Sequence, residues 1–141
     1  MRLQVLTSKI FVFSLLAFIL IIHAFATWRQ FYFHYRIIDV PMHLLGGACV
    51  LVFLYWYLKK INLLGSFPWA SFLGYILSLG IVLFVGVFWE FYEFFYDFLF
   101  NYKLATILQF GSLDTLKDLA NGMLGATAIY FIIYKDLKKI T

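Results

Sequence analysis

Long apolar runs, separated by short polar or aromatic-rich connections, are the main feature of this sequence. A window of about 19 residues finds such runs at 10–27, 40–58, 69–91 and 118–134. Each run is close to the roughly 20 residues that a helix needs to cross the hydrocarbon core of a bilayer. The pattern therefore predicts an all-α membrane protein with four transmembrane helices. Because the connections are short, we expect one antiparallel up-down bundle that forms a single integral membrane domain over residues 1–141.

Composition supports this interpretation and excludes a water-soluble domain. Hydrophobic residues make up 65% of the 141 positions and charged residues 13%, whereas a soluble domain is about half apolar and a quarter charged. The only cysteine, Cys49, lies within the second span, which excludes an intramolecular disulfide and a zinc site built from several cysteines.

The N-terminal run allows an alternative interpretation. Arg2 and Lys9 precede it and Ala24-Phe25-Ala26 follow near its end, a pattern that resembles a signal peptide with its cleavage site. We expect a retained first helix. Cleavage would leave the orientation of the other three spans unchanged.

Charges predict the orientation in the membrane. With the N-terminus inside, seven of the 11 basic residues fall on inner segments, which predicts an N-in, C-in topology in the cytoplasmic membrane. Six of the seven acids fall at the outer ends of the spans, and only Asp136 falls at the inner end. The net charge of +4 then reflects topology and attraction to anionic inner-leaflet lipid, so it does not indicate nucleic acid binding.

Polar residues on three spans share one face and one depth. The sets are Asp39 and His43; Glu90, Glu93 and Asp97; and Asp114, Asp118 and Asn121, all at helical spacing. At 1.5 Å per residue, His43 and Asp118 each lie about 25 Å from the inner boundary. Glycines follow both residues, namely Gly46 and Gly47 on one helix and Gly122 and Gly125 on the other, and we expect them to allow close helix packing. Ionisable groups at bilayer depth usually face the bundle interior, so these residues form a candidate site.

Carboxylates with one imidazole are suitable ligands for a divalent cation. The candidate metal ligands are His43, Glu90 and Asp118, and the cation would be Mg²⁺, Mn²⁺ or Zn²⁺. The same groups could act as general acids and bases on a lipid headgroup, or as a proton or cation relay. The full set of candidate catalytic residues is Asp39, His43, Glu90, Glu93, Asp114 and Asp118.

Three motifs resemble a known family. "DVPMHLLGG" at 39–47, "WEFYEF" at 89–94 and "DTLKDLANGMLGA" at 114–126 are similar to the YjdF-like membrane proteins and, more distantly, to the VanZ-like family associated with teicoplanin resistance. The resemblance assigns the family's polar positions to the six candidate residues and makes Gly125 a packing glycine. VanZ-like proteins tend to have Gln where this chain has Glu93, and relatives often place the later polar residue at 122 instead of 121. These departures favour the YjdF-like branch.

Simpler explanations exist for each candidate. Asp39 and Asp114 precede helices and could be N-caps. His43 and Asp118 could form an interhelical hydrogen bond that only stabilises the bundle. Glu90, Glu93 and Asp97 could lie on a solvated extension of the third helix. His23, on the first span, is expected to be a structural group and not a ligand.

Three functions follow from this pattern. The first is metal-assisted chemistry on a lipid headgroup or lipid-linked phosphate at the extracytoplasmic surface. The second is binding or transport of a cation, a proton or a headgroup, for which one chain of four helices would need a homo-oligomer. The third is a purely structural membrane subunit. The expected partner in every case is the lipid bilayer, and the residues do not decide whether the protein is an enzyme.

Overall fold

The computed structural model describes residues 8–104, 108 and 111–137, and these residues form helices and turns without a strand. Four long helices follow one another along the chain. They are α1 (Lys9–Trp28), α2 (Asp39–Lys60), α3 (Phe72–Leu104) and α4 (Ser112–Leu137). Each corresponds to one of the four predicted apolar runs, and the all-α prediction is confirmed.

Three helical segments are long and apolar enough to cross a membrane: Lys9–Trp28, Arg36–Lys60 and Phe72–Phe100. Their outward side chains agree with this. Ile10, Phe72 and Phe98 are 81%, 78% and 74% exposed, and large exposed apolar side chains of this kind are expected where a helix contacts lipid. The 26 residues of α4 are long enough to span, but α4 is not among these three segments. A fourth crossing, and with it the N-in, C-in orientation, stays a prediction.

Local chemistry sets the helix ends. The Ser8 hydroxyl caps α1 by accepting a hydrogen bond from the Phe11 backbone N–H at 3.1 Å. α1 ends where Gln30 adopts a left-handed backbone with φ 56°. A single helical turn, Phe31–His34, and a 3₁₀ turn, Arg36–Ile38, then lead directly into α2.

The start of the third span differs from its prediction. Its helix begins at Phe72 and not at Trp69, because the Ser71 hydroxyl accepts a hydrogen bond from the Gly74 N–H at 3.1 Å and so caps the helix there. Trp69 turns inward and is buried, and the Tyr130 hydroxyl of α4 donates a hydrogen bond to its carbonyl oxygen. The connection between α2 and α3 thereby closes one end of the bundle.

α2 and α4 form the closest helix pair, and glycines make this possible. A Cβ atom on Gly47 would overlap the backbone of Gly122, and one on Gly125 would overlap the backbone of Leu44. The expected packing role is therefore confirmed for Gly47 and Gly125. It is wrong for Gly46, because a Cβ atom there would have no neighbour within 4 Å.

Two hydrophobic clusters fill the bundle. The larger, which we call the tyrosine core, joins α2, α3, α4 and the connection after α2; its buried members are Leu51, Tyr55, Trp69, Leu79, Val82, Ala126, Tyr130 and Ile133. The smaller packs α1 against the start of α2 and includes Ile19, Ala26, Tyr32, Met42, Cys49 and Leu108. The tyrosine core occupies one end of the bundle, and the predicted polar residues occupy the other, which we call the acidic end.

Candidate functional site

Asp39 and His43 lie one turn apart on the first two turns of α2. Nε2 of His43 is 3.3 Å from Oδ1 of Asp39, and Asp39 is only 6% exposed. Ile38, which makes no side-chain cap, precedes the helix, and Asp39 is itself the first helical residue. The N-cap explanation for Asp39 is therefore wrong, because the 3₁₀ turn before α2 already continues the helical path and directs this carboxylate inward.

Glu90 and Glu93 lie on one face of α3 and are buried, at 5% and 3% exposed. The indole N–H of Trp89 donates a hydrogen bond to Oε1 of Glu93 at 2.8 Å. A solvated extension is therefore wrong for these two glutamates. Asp97, one turn further on, accepts the backbone N–H of Leu108 at 2.9 Å, so it anchors the connection to α4.

Asp114 and Asp118 come from the first two turns of α4. α4 begins at Ser112, so Asp114 lies inside the first turn and is not its N-cap. The Lys117 ammonium group pairs with Asp114 and lies 3.8 Å from Oδ1 of Asp118. Asp118 is 2% exposed, which makes it one of the most completely buried side chains in the described part of the protein.

The six predicted residues meet in space. Three overlapping groups each bring one ligand atom per residue to within 4.8 Å of one another: Asp39, His43 and Glu93; His43, Glu90 and Asp118; and Asp39, Asp114 and Asp118. His43 and Asp118 are therefore neighbours, as their common depth predicted. The groups share members, so the three helices build one continuous cluster of five carboxylates and one imidazole.

Some polar atoms of this cluster lack a hydrogen-bond partner among the described residues. They are Oδ1 of Asp118 and the amide nitrogen of Asn121, which predicted spacing also placed on this face. A buried polar atom without a partner costs about 1–3 kcal/mol, so native proteins normally supply one. These buried atoms are therefore available to a further hydrogen-bond or ligand partner.

A cavity of about 340 Å³ opens beside the cluster. Its polar end is formed by Tyr32, Asp39, His43, Glu93 and Asp118. The remaining lining comes from apolar side chains and glycines of all four helices. Sequence reasoning missed this cavity, because a space between helices depends on which residues face each other and leaves no periodic signal.

His23 of α1 lies next to the site without joining the candidate metal groups. Its Nδ1 is 2.9 Å from the Tyr32 hydroxyl and its Nε2 is 3.3 Å from the Tyr92 hydroxyl, and the ring is buried. The structural role predicted for His23 agrees with these contacts. Burial, with Asp39 and Glu93 nearby, raises the pKa of the Tyr32 hydroxyl, so this group stays protonated and can donate to His23.

A family model described as a predicted membrane protein (DUF2238) matches residues 2–139, almost the whole chain. No curated protein and no solved structure matches the chain.

Proposed function

Since the chain belongs to the DUF2238 family of predicted membrane proteins, we propose that its function lies in the cluster at the acidic end, which binds a divalent cation. The cation is Mg²⁺, Mn²⁺ or Zn²⁺, and it is presented to a lipid headgroup or lipid-linked phosphate. The charge distribution of the sequence favours an extracytoplasmic position for this end in the plasma membrane. The more specific YjdF-like identity remains a prediction from the three motifs.

One observation carries the proposal. Ligand atoms from α2, α3 and α4 form three groups, within each of which the atoms lie within 4.8 Å of one another. Asp39, His43 and Asp118 each belong to two of these groups. Buried carboxylates at such short separation repel one another strongly in a low-dielectric interior. A divalent cation relieves this repulsion and also partners the unbonded oxygen of Asp118.

The donor set suggests a role for each residue. His43, Glu90 and Asp118, one from each of three helices, are the proposed ligands. Asp39 is positioned to orient the imidazole of His43, as carboxylates commonly do for metal-bound histidines. Glu93, Asp39 and Asp114 remain as further oxygen donors or general bases. When bound, the cation would supply charge neutralisation and Lewis acidity to a phosphate group.

Ion transport through one chain is less well supported. The cavity loses its polar lining beyond the first turns of α2, where Cys49, Val50 and Phe53 follow. The tyrosine core then fills the other end of the bundle. Among the described residues, the buried carboxylates and the His43 imidazole lie at one end of the bundle, which favours binding or chemistry at a surface over passage across the membrane.

The test measures Mn²⁺ binding by electron paramagnetic resonance, together with thermal unfolding, in the purified protein. We expect saturating Mn²⁺ to stabilise the wild type by about 2.7 kcal/mol at 100 times the Kd, and chelator to reverse this. Asp118→Asn, Glu90→Gln and His43→Asn should each lose the response. Asp136→Asn, at the far end of α4, is the matched control and should keep it.

The same experiment separates a cation site from a cluster that only stabilises the bundle. In chelator, Asp118→Asn should be at least as stable as wild type, because it removes one of several crowded charges and keeps the side-chain size. Loss of stability in chelator by all three variants, with no Mn²⁺ binding by wild type, would support a structural subunit. Wild type that binds no divalent cation would refute the proposal.

A further inference from the structure

The cavity beside the cluster is polar at one end and apolar along the rest of its length. One end carries the acidic cluster, and the rest is lined by apolar groups that include Leu16, Leu20, Val50, Phe53 and Val85. A small hydrophilic ligand would leave this apolar length unfilled. A polar head joined to an apolar chain matches both parts.

The length of the apolar part of the cavity matches one leaflet of the bilayer. Along α2 the lining begins at Asp39, and its part from His43 to Phe53 corresponds to about 15 Å at 1.5 Å per residue. That is half of the roughly 30 Å hydrocarbon core. The apolar part therefore runs parallel to the lipid chains of the leaflet at the acidic end.

α1 and α3 flank one side of the cavity. At the acidic end the His23 ring of α1 contacts Trp89 and Tyr92 of α3. Further in, the lining residues Leu20 on α1 and Val85 on α3 are 45% and 42% exposed. Exposed lining on both helices indicates that a lipid chain in the leaflet can enter between them.

Gly46 keeps the cavity wide. It lines the cavity, and a Cβ atom built on it would meet nothing within 4 Å, in contrast to neighbouring Gly47, which packs against Gly122. Since alanine is about 1 kcal/mol better than glycine in a helix, this glycine is not explained by helix stability. The missing side chain at Gly46 instead adds to the open space of the cavity.

We propose that the cavity binds the apolar chain of a single-chain lipid phosphate, which enters between α1 and α3 and places its phosphate at the acidic cluster. This inference rests on the proposed cation site, because five carboxylates require a bound cation before a phosphate can approach. In many proteins Mg²⁺ is bound by one or two carboxylates together with the phosphate of the substrate. Lys117, whose side chain is 44% exposed beside Asp114 and Asp118, adds a protein cation at the same place.

The volume of the cavity favours a lipid with one acyl chain over a lipid with two. About 340 Å³ is at the lower end of the roughly 300–1,000 Å³ found for ligand pockets. The five carboxylates by themselves would attract an ammonium headgroup, so selection of a phosphate depends on the proposed cation, with Lys117 as a further positive charge beside Asp114 and Asp118.

The test uses native mass spectrometry of the purified protein with monoacyl lysophosphatidate as the probe, in Mn²⁺ and in chelator. Wild type should retain one lysophosphatidate in Mn²⁺ and lose it in chelator. Gly46→Leu fills the cavity and should weaken retention by about tenfold or more, a change of about 1.4 kcal/mol. Gly80→Leu is the matched control, because Gly80 also has open space around it but lies outside the cavity on the exposed face of α3.

A second blocking variant keeps the test valid if Gly46→Leu does not fold. Leu20→Trp narrows the same cavity from α1, at a side chain already 45% exposed, and should also lose the lipid. Both blocking variants should still bind Mn²⁺, because neither changes a proposed ligand. Retention of lysophosphatidate by both folded variants would overturn the inference.

The remaining outcomes distinguish this inference from the proposed function. Wild type that binds Mn²⁺ but not lysophosphatidate would overturn the lipid inference and leave the cation site standing. Wild type that binds none of Mg²⁺, Mn²⁺ and Zn²⁺ would refute both. Equal retention of diacyl phosphatidate would refute the single chain, and equal retention of lysophosphatidylcholine in chelator would refute recognition through a metal-bound phosphate.

Discussion

His23 links three elements through two tyrosine hydroxyl groups. Tyr32 belongs to the turn after α1 and is 3% exposed, whereas Tyr92 belongs to α3 and is 41% exposed. Both ring nitrogens of His23 therefore have a partner. This arrangement makes His23 a positioning group for the acidic end, since it fixes α1 against the helix that carries Glu93.

Removal of either hydroxyl should cost a modest amount of stability. Hydrogen bonds between membrane helices are worth about 0.6 kcal/mol on average and about 1.7 kcal/mol at most. We expect Tyr32→Phe to lower the stability more than Tyr92→Phe, because the hydrogen bond of Tyr32 is shorter and more buried. Thermal unfolding in detergent measures the difference. Mn²⁺ binding should remain in both variants, and its loss in Tyr32→Phe would place this residue in the cation site.

At the scale of helices, the pairing of α2 with α4 determines whether the cluster exists. This pair brings Asp39 and His43 next to Asp114 and Asp118, and its close approach depends on Gly47 and Gly125. A small change in helix separation would move ligand atoms by more than a metal site tolerates. A substitution at a packing glycine should therefore also disturb the proposed cation site.

Alanine substitutions distinguish the two kinds of glycine. Gly125→Ala should destabilise the protein by about 1–3 kcal/mol, because the added methyl group overlaps the backbone of Leu44 and forces the helices apart. Gly46→Ala should be neutral or stabilising by up to about 1 kcal/mol, since it gains helix propensity in open space.

Unfolding curves of the two variants against wild type provide the measurement. Gly125→Ala should also weaken Mn²⁺ binding, although position 125 supplies no ligand. Equal stability of the two variants would contradict the assigned packing of α2 on α4.

For the whole molecule, the distribution of charge predicts how the bundle lies in the membrane. The connection after α2 should be cytoplasmic, and the connection between α1 and α2 should be extracytoplasmic, because basic residues concentrate on inner segments. Both connections carry exposed residues, Asn62 and Tyr35, that accept a cysteine without disturbing the core.

Labelling of intact cells with a membrane-impermeant thiol reagent tests this topology. Tyr35→Cys should react and Asn62→Cys should not, each in a Cys49→Ala background. Unsubstituted protein is the control, and it should not react because Cys49 is buried. The reverse pattern of labelling would overturn the orientation, and labelling of both positions would indicate that α2 does not cross the membrane.

Family membership and the fold agree at this scale, since residues 2–139 match a membrane protein family and three helical segments are apolar enough to span. α4 carries more polar groups than these three because it supplies two aspartates to the cluster. The same residues that make α4 a weak span thus make it part of the candidate site.

The sequence alone determined the elements and the common depth of the acids. Helix length and apolar runs are local properties, and a rise of 1.5 Å per residue converts sequence position into depth. That conversion is sufficient to assign six residues to one end of the bundle, namely Asp39, His43, Glu90, Glu93, Asp114 and Asp118. Helical periodicity likewise placed the members of each set on one face.

Only the tertiary structure decided what these residues contact. The inward direction of Asp39 depends on the 3₁₀ turn before it, and the burial of Trp69 depends on Tyr130, which is 61 positions away. Gly46 and Gly47 are adjacent and chemically identical, yet only Gly47 packs against the backbone of α4, while Gly46 has open space around it. The physical reason is that packing and cavities arise from the relative rotation and separation of helices, which are set by contacts between residues far apart in the chain.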